Sequence, residues 1–299
     1  MDARLPGIDL IDRIRPRRNE AKLPAMRNPE AMAPALTYPA VVAHRGASLL
    51  AAEHTAAAYR AAIDSGADGL ECDVRLTADG HLVCVHDPRI DRTSTGRGRV
   101  SNQTLGQLQE HNFGSWWNPD DQLGGGDDIL TLPELLEMAL SAPRPLQLAI
   151  ETKHPTRYGG YTEQVLVQTL ERYGLADGAD GRVRVMSFSA IALRRMRDLA
   201  AGITTVYLMD KVPMLQRFGP LPFGAAVAGP SVELVESDPA QIRRWQDSGF
   251  GVHVWTVDTR HALEVCMRAG VATVITNVPH DVLVWRDELW TDLGGPSAR

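Results

Sequence analysis

The stretch Gly69–Asp87, GLECDVRLTADGHLVCVHD, sets how the rest of the chain is read. Its opening, GLECDV, is a strand in which side chains two apart share a face. Glu71 and Asp73 therefore point one way, and Cys72 points the other, where a thiol behaves as a small hydrophobe. The Ala78-Asp79-Gly80 turn brings the chain back as a second short extended run, Leu82–His86. Paired carboxylates on one face of an otherwise apolar strand lose hydration and repel each other, so they mark a place for chemistry more readily than plain core.

Outward from this stretch the chain alternates short apolar strands with helical patterns. Strands are expected at Ala40–His44, Gly69–Val74, Leu146–Glu151, Val183–Ser187, Thr204–Leu208, Gly224–Ala228, Val252–Val257 and Ala272–Thr276. Helices are expected at Glu53–Ser65, Leu132–Leu140, Thr162–Tyr173, Ala190–Ala200, Pro239–Ser248, Arg260–Ala269 and Pro279–Leu289. Eight strands, each followed by a helix or a helix-length stretch, over roughly 250 residues match an α/β fold of the (β/α)8 TIM-barrel type. A doubly wound open sheet is the structural alternative, but no GxGxxG follows the first strand. Asp87 to Asp128 breaks the rhythm with Gly, Pro, Asn and Asp and a Gly124-Gly125-Gly126 run, and reads as a small insertion after the second strand. The expected organisation is an N-terminal arm at 1–39, a barrel at 40–290 with its insertion at about 87–128, and a tail at 291–299.

Composition bounds the function. The chain has 299 residues, 44% hydrophobic and 23% charged, with a formal charge of −6. It is acidic rather than basic, which gives no electrostatic case for nucleic acid. An anionic substrate therefore needs a local device, such as a metal or a placed arginine. No apolar run approaches the ~20 residues of a membrane helix, so no stable membrane insertion is expected. Three cysteines, Cys72, Cys84 and Cys266, without CxxC spacing argue against a disulfide framework or a structural zinc. The start has no secretory hydrophobic region, and a cytoplasmic protein is expected, as a monomer or dimer. Arg13, Arg15, Arg17 and Arg18 read as a basic tail rather than a membrane contact.

In a parallel barrel the chemistry sits at the C-terminal strand ends. Here the first strand ends in His44-Arg45-Gly46, the second carries Glu71 and Asp73, the following run ends in His86-Asp87, and the third core strand ends in Glu151-Thr152-Lys153. Later strands end in milder residues, Ser187, Tyr207, Trp255 and Asn277, so the polar load lies in the first half. Three carboxylates converging on one mouth require a positive partner. A hard divalent cation, Mg²⁺ or Ca²⁺, suits an all-oxygen donor set with no adjacent cysteine. Glu151 with Lys153 alone would read as an ordinary ion pair, and His86 alone as a satisfied core histidine. With His44 at another strand end, acid–base chemistry becomes the better reading.

At these residues the sequence resembles the glycerophosphodiester phosphodiesterase family of bacterial, cytoplasmic type. The matching motifs are VVAHRGAS, AAEHTAAAY, GADGLECDVRLTADGHLVCVHDPRIDRTSTGRG, LTLPELLE, LAIETKHP, VMSFS, VHVWTVD and VITNVP, in order from about Val41 to Pro279. The resemblance implies a (β/α)8 barrel with a small insertion after the second strand. It implies Glu71, Asp73 and Glu151 as ligands of one divalent cation, and His44 and His86 as the general acid/base pair. It also implies Arg45 as the phosphate grip, Lys153 beside phosphate and metal, Glu53 as a support for the histidine and arginine, and Trp255 at the substrate entrance. Two positions depart from the family pattern. His54 stands where the family has asparagine, and is expected to be a helix-start residue rather than a third catalyst. Asn277 stands where the family has aspartate, which removes a carboxylate near the site.

The implied activity is that of a phosphoric diester hydrolase, giving an alcohol and sn-glycerol 3-phosphate from small glycerophosphodiesters such as glycerophosphocholine or glycerophosphoethanolamine. His44 is expected to act as base and His86 to protonate the leaving alcohol. Attack comes either from the glycerol 2-hydroxyl, through a cyclic phosphate later opened by water, or from water at the metal. On the same scaffold a lysophospholipase D or a polyol-phosphate polymer hydrolase would differ around the mouth, with Phe113, Trp116 and Trp117 covering a tail or glycan. Those aromatics read more simply as the insertion's own core. A non-catalytic phosphate-binding barrel would show damage among His44, Arg45, Glu71, Asp73, His86 and Glu151, and the sequence shows none.

Overall fold

The computed structural model describes residues 36–117, 128–217 and 220–296. The expected arm before residue 36, the Gly124-Gly125-Gly126 run and the last three residues of the expected tail lie outside them. In chain order the elements begin with β1 (Ala40–Ala43), α1 (Ala56–Asp64), β2 (Gly69–Leu76), β3 (Leu82–Cys84), α2 (Leu105–Leu108), α3 (Leu132–Leu140), β4 (Gln147–Thr152) and α4 (Tyr161–Arg172). They continue with β5 (Val183–Ser187), α5 (Ala190–Leu199), β6 (Thr204–Met209), β7 (Val227–Pro230), α6 (Val232–Ser237), α7 (Pro239–Asp247), β8 (Gly251–Val254), α8 (Arg260–Arg268), β9 (Thr273–Thr276) and α9 (Pro279–Asp292).

Eight strands are parallel and close into a barrel, because β1 pairs with both β2 and β9. β3 stands outside the closed set, antiparallel to the far end of β2, with Val74 opposite Cys84. This is the hairpin expected from the Ala78-Asp79-Gly80 turn. The β2–β4 register sets Asp73 directly beside Glu151, with Glu71 two residues earlier on the same face. A carboxylate cluster at the mouth follows from register alone.

Helices form where caps and apolar spacing agree. In α3, Thr131 Oγ1 accepts from the Glu134 amide while Glu134 Oε2 accepts from the Thr131 amide, closing a capping box just ahead of a proline in the first turn. Its Leu132, Leu135, Leu136 and Ala139 are buried against the strands, each leucine contributing about 1.5–3 kcal/mol. Cys72, Cys84 and Cys266 are buried and unpaired in the same barrel–helix layer. Inside the barrel, Val42, Ala149, Met186, Val206, Val227 and Ile275 form an apolar floor beneath the polar mouth.

Several elements differ from expectation: β8 ends at Val254 rather than Val257, and the short α2 lies in the stretch read as irregular. α1 starts at Ala56, not Glu53, because Thr55 takes the cap position and His54 before it has φ +62°, outside helical geometry. The sixth barrel strand, β7, begins at Val227, not Gly224, because Pro222–Gly224 forms a tight turn with Phe223 and Gly224 at φ +49° and +73°, which no strand accommodates. α6 is only six residues long, too short to show a helical period. The insertion has its own small core, in which Phe113 is buried with Val83, Val85, Ile90, Val100 and Leu108. Trp116 and Trp117 meet edge-on at 5.7 Å but, contrary to expectation, are not part of this buried core, and Trp117 is 38% exposed. Among the described residues no helix is long and apolar enough to cross a membrane.

Candidate active site

The structure brings every residue anticipated for the site to one end of the barrel. His44 and Arg45 follow β1, Asp87 follows His86 beyond β3, Lys153 follows β4, and Trp255 follows β8. A pocket of about 300 Å³ has His44, Arg45, Glu71, His86, Glu151 and Lys153 on one side and Met186, Phe188, Leu208, Trp255 and Ile275 on the other. One half is charged and the other apolar. Trp255 is fixed by donation from Nε1 to the Gly229 carbonyl at 2.8 Å and meets Phe188 edge-on at 5.4 Å between ring centroids.

The turn after β1 is forced by its residues. Gly46 has φ +83°, and a Cβ there would lie 2.6 Å from the Ala58 carbonyl carbon. Only glycine allows α1 to approach so closely. Arg45, at φ +58°, is turned inward with it: its amide donates to Glu71 Oε2 at 2.9 Å, Nε lies 3.0 Å from Asp73 Oδ2, and Nη1 lies 3.1 Å from Glu53 Oε1.

Glu71, Asp73 and Glu151 are all buried, and each offers an oxygen within 4.8 Å of the other two. Burial, the Asp73 charge and Glu151 push Glu71 well above the usual carboxylate range, and burial with Asp73 pushes Glu151 up to about 8. Burial also opposes ionisation of Asp73, but His54, Lys153 and Arg45 overcome it and hold that carboxyl well below its ordinary value. Lys153 Nζ lies 2.9 Å from Glu151 and 3.1 Å from Asp73, whose Oδ1 receives no well-formed hydrogen bond. Among the described residues, three buried carboxylates whose oxygens lie within 4.8 Å of one another are met by only two fixed cations, Lys153 and Arg45, and such an all-oxygen donor set fits a hard divalent cation.

Each pocket histidine is oriented by an acceptor. His86 Nδ1 donates to Asp87 Oδ1 at 2.8 Å. Asp87 also accepts from Arg92, which grips Glu53 with two nitrogens at 2.8 and 2.9 Å, so one chain of contacts joins His86 to Arg45. Burial lowers the His86 pKa, with Arg45 and Lys153 acting in the same sense and Asp73 against them. Glu53 is held at about 2, since Arg92 and Arg45 outweigh its burial.

His44 Nδ1 lies 2.7 Å from Asn277 Oδ1, which also accepts from Ser48. Asn277 Nδ2 donates to Asp258 Oδ2 at 2.6 Å, which fixes the amide's orientation. The carboxylate missing at Asn277 is thus supplied by Asp258 one hydrogen bond further out. The sequence reading missed this, although the VHVWTVD motif contains the residue. His54 is not a helix-start residue. It precedes the cap, its ring is buried, and it bridges Asp73 at 2.9 Å and the Tyr59 hydroxyl at 2.8 Å. Tyr59 in turn donates to the Glu71 carbonyl at 3.0 Å, so His54 and Tyr59 brace the acidic strand from behind. Phe188 was also missed as a pocket residue.

Residues 44–281 match the model of the glycerophosphoryl diester phosphodiesterase family. The chain belongs to this family. It is 44% identical over 257 residues to a Mycobacterium tuberculosis protein named "Probable glycerophosphodiester phosphodiesterase 1", covering 84% of this chain and 93% of that one. A Bacillus subtilis glycerophosphodiester phosphodiesterase is 31% identical over 250 residues, with 80% and 83% covered. Among solved structures, an Oleispira antarctica phosphodiesterase in complex with the product sn-glycerol-3-phosphate superposes with a TM-score of 0.73 at 24% identity, covering 83% of this chain and 97% of that one. At that identity the likeness speaks for the shared (β/α)8 barrel.

Proposed function

We propose that this protein is a glycerophosphodiester phosphodiesterase that cleaves small diesters such as glycerophosphocholine to an alcohol and sn-glycerol 3-phosphate. The observation that carries the reading is the pair of oriented histidines facing one pocket beside a buried carboxylate triad. Phosphodiesters resist attack because their charge repels nucleophiles and their alkoxide leaves poorly. Glu71, Asp73 and Glu151 would hold one Mg²⁺ or Ca²⁺, which when bound supplies positive charge to the phosphoryl oxygens.

The remaining steps belong to the chain itself. Arg45 presents a planar fork to the phosphate and is kept in place by Glu53 and Asp73. Lys153 adds a second cation on the other side of the acidic cluster. His44, with hydrogen on Nδ1, presents the Nε2 lone pair and takes the proton of the attacking hydroxyl as its oxygen bonds to phosphorus; where that hydroxyl is water the ester is cleaved directly, and where it is the glycerol 2-hydroxyl a water then opens the cyclic phosphate to sn-glycerol 3-phosphate. The phosphorus bond to the leaving alcohol breaks, and His86, its Nδ1–H held by Asp87, gives that oxygen a proton from Nε2. Trp255 and Phe188 form the apolar wall that positions the organic part of the substrate and excludes water.

The test measures glycerol 3-phosphate released from glycerophosphocholine with and without EDTA and metal add-back. His44→Gln and His86→Gln are each expected to lower kcat by about 10²–10⁴-fold. Near-native turnover in either variant, or full activity in EDTA, would overturn the assignment.

A further inference from the structure

A second cavity, of about 380 Å³, adjoins the catalytic pocket, and the two share Lys153. Around it stand Arg75 from β2, Arg99 and Asn102 from the insertion, and Arg157 from the segment between β4 and α4. Four cationic side chains therefore converge, and no acidic side chain lines the cavity among the described residues. Their hydrogen bonds go to neutral acceptors: Arg75 Nε and Nη2 to the His86 carbonyl at 2.9 and 2.6 Å, and Arg157 Nη1 to the Asn102 amide oxygen at 2.8 Å. Among the described residues, Lys153 alone of the four pairs with carboxylates. Lys153 pairs with Asp73 and Glu151 and Arg75 feels the same acidic cluster, but among the described residues Arg99 and Arg157 make no ion pair, and in a chain of net charge −6 such a surplus of positive charge is not an average property of the surface.

The cavity also has a direction. Arg75 grips the backbone of His86, and Pro88 two residues later lines the wall. His86 is the group assigned to the leaving oxygen, so the cavity lies on the leaving-alcohol side. Ser101, Asn102 and Thr156 add neutral donors suited to a polyol.

We infer that this cavity is a subsite for a phosphate group carried on the leaving alcohol, so that the substrates it favours are glycerophosphodiesters bearing a second phosphate. The inference rests on the hydrolase reading for its direction but not for the anion site itself. Arginine suits the role because its fork matches phosphate oxygens in pairs. The cavity would then raise the affinity of doubly phosphorylated substrates without touching the reacting atoms.

The experiment compares kcat/KM for bis(glycerophospho)glycerol and for glycerophosphocholine in the wild type, Arg99→Ala, Arg157→Ala and the double variant. KM for the first substrate is expected to rise roughly tenfold per arginine removed, while glycerophosphocholine stays within about twofold. Equal effects on both substrates, or none on either, overturn the inference. Inorganic phosphate separates the two sources of the anion. If it modulates glycerophosphocholine turnover without competing, and the double variant abolishes that effect alone, the site takes the free ion and the substrate assignment fails. Calorimetric binding of bis(glycerophospho)glycerol to His86→Gln protein, with and without the two arginine substitutions, needs no turnover. Arginine-dependent binding to the variant, with a wild type that hydrolyses neither compound, would defeat the hydrolase reading and leave the anion site standing; arginine-independent binding would defeat the subsite.

Discussion

The His44 ring is held by an acceptor that is itself locked, and this decides which nitrogen carries the proton. Asp258 can only accept, so the Asn277 NH₂ faces Asp258 and the amide oxygen faces His44. Neutral His44 is therefore the Nδ1–H tautomer, with Nε2 free toward the pocket. The informative perturbation is the exchange Asn277→Asp with Asp258→Asn, which keeps the donor and acceptor pattern and moves the negative charge next to the ring. A unit charge about 4 Å from the imidazolium, at an effective dielectric of ~20, is worth about 4 kcal/mol or about three pKa units. That is an upper value, because Asp258 already acts from one residue further away. Burial and the neighbouring Arg45 hold His44 at about 4 in the native chain, and the exchange is expected to bring it up to about 7 at most. The assay is a set of long-range ¹H–¹⁵N spectra of ¹⁵N-histidine-labelled protein across pH, with His44 assigned by its loss in His44→Gln. The native chain should show Nδ1–H and a low titration. The exchanged protein should titrate two to three units higher and lose turnover near neutral pH, recovering it as pH rises, since a protonated ring cannot act as base. An Nε2–H tautomer in the native protein, or a titration unmoved by the exchange, would refute the relay.

Stability should fall in acid through His253 on β8, whose pKa burial and Arg184 lower from 6.5 to about 3. The unfolded chain takes the proton first, so this contribution is complete above pH 6.5 and is lost as pH falls toward 3, a total on the order of 5 kcal/mol. Urea midpoints of the native chain should drop across that window, and His253→Gln should flatten the drop; parallel slopes would contradict it. His54→Ala removes a bond to the buried Asp73 carboxylate, and Mg²⁺ affinity by calorimetry should weaken about 10–100-fold, with His54→Asn intermediate. An unchanged affinity would show that the brace does not matter. Gly46→Ala places a methyl 2.6 Å from the Ala58 backbone at φ +83°. It should destabilise by at least ~1–3 kcal/mol and lower kcat by displacing Arg45, and thermal unfolding together with turnover checks both.

What the sequence makes legible here is what depends on local periodicity. The two-residue repeat in GLECDV puts Glu71 and Asp73 on one face, and a parallel register then has to bring a neighbouring strand's carboxylate alongside, which Glu151 provides. Strand ends likewise announce His44, Lys153 and Trp255 before any contact is known. What stays hidden depends on a contact across the fold or on an unusual dihedral. The start of β7 is hidden because a glycine and an aromatic residue turn through positive φ where composition suggests a strand. His54 was misread because its neighbours suggest a helix start, while its backbone is left-handed and its ring reaches a residue 19 positions away.

Asn277 makes the sharper point about charge. As a letter it is a lost carboxylate, and the count of acids in the motif falls by one. In the barrel the loops after β8 and β9 meet, and Asp258 accepts from the Asn277 amide nitrogen, the Asn277 backbone and the Thr276 hydroxyl. The negative charge has moved one hydrogen bond outward, where it still orients the amide but no longer pairs directly with His44. A carboxylate in contact with the ring would favour imidazolium, whereas an amide oxygen fixes the same tautomer and leaves the ring neutral. The substitution therefore keeps the orientation a general base needs while giving up the contact that would raise its pKa, so its effect on catalysis follows from the placement of Asp258 and not from the number of acids in the motif.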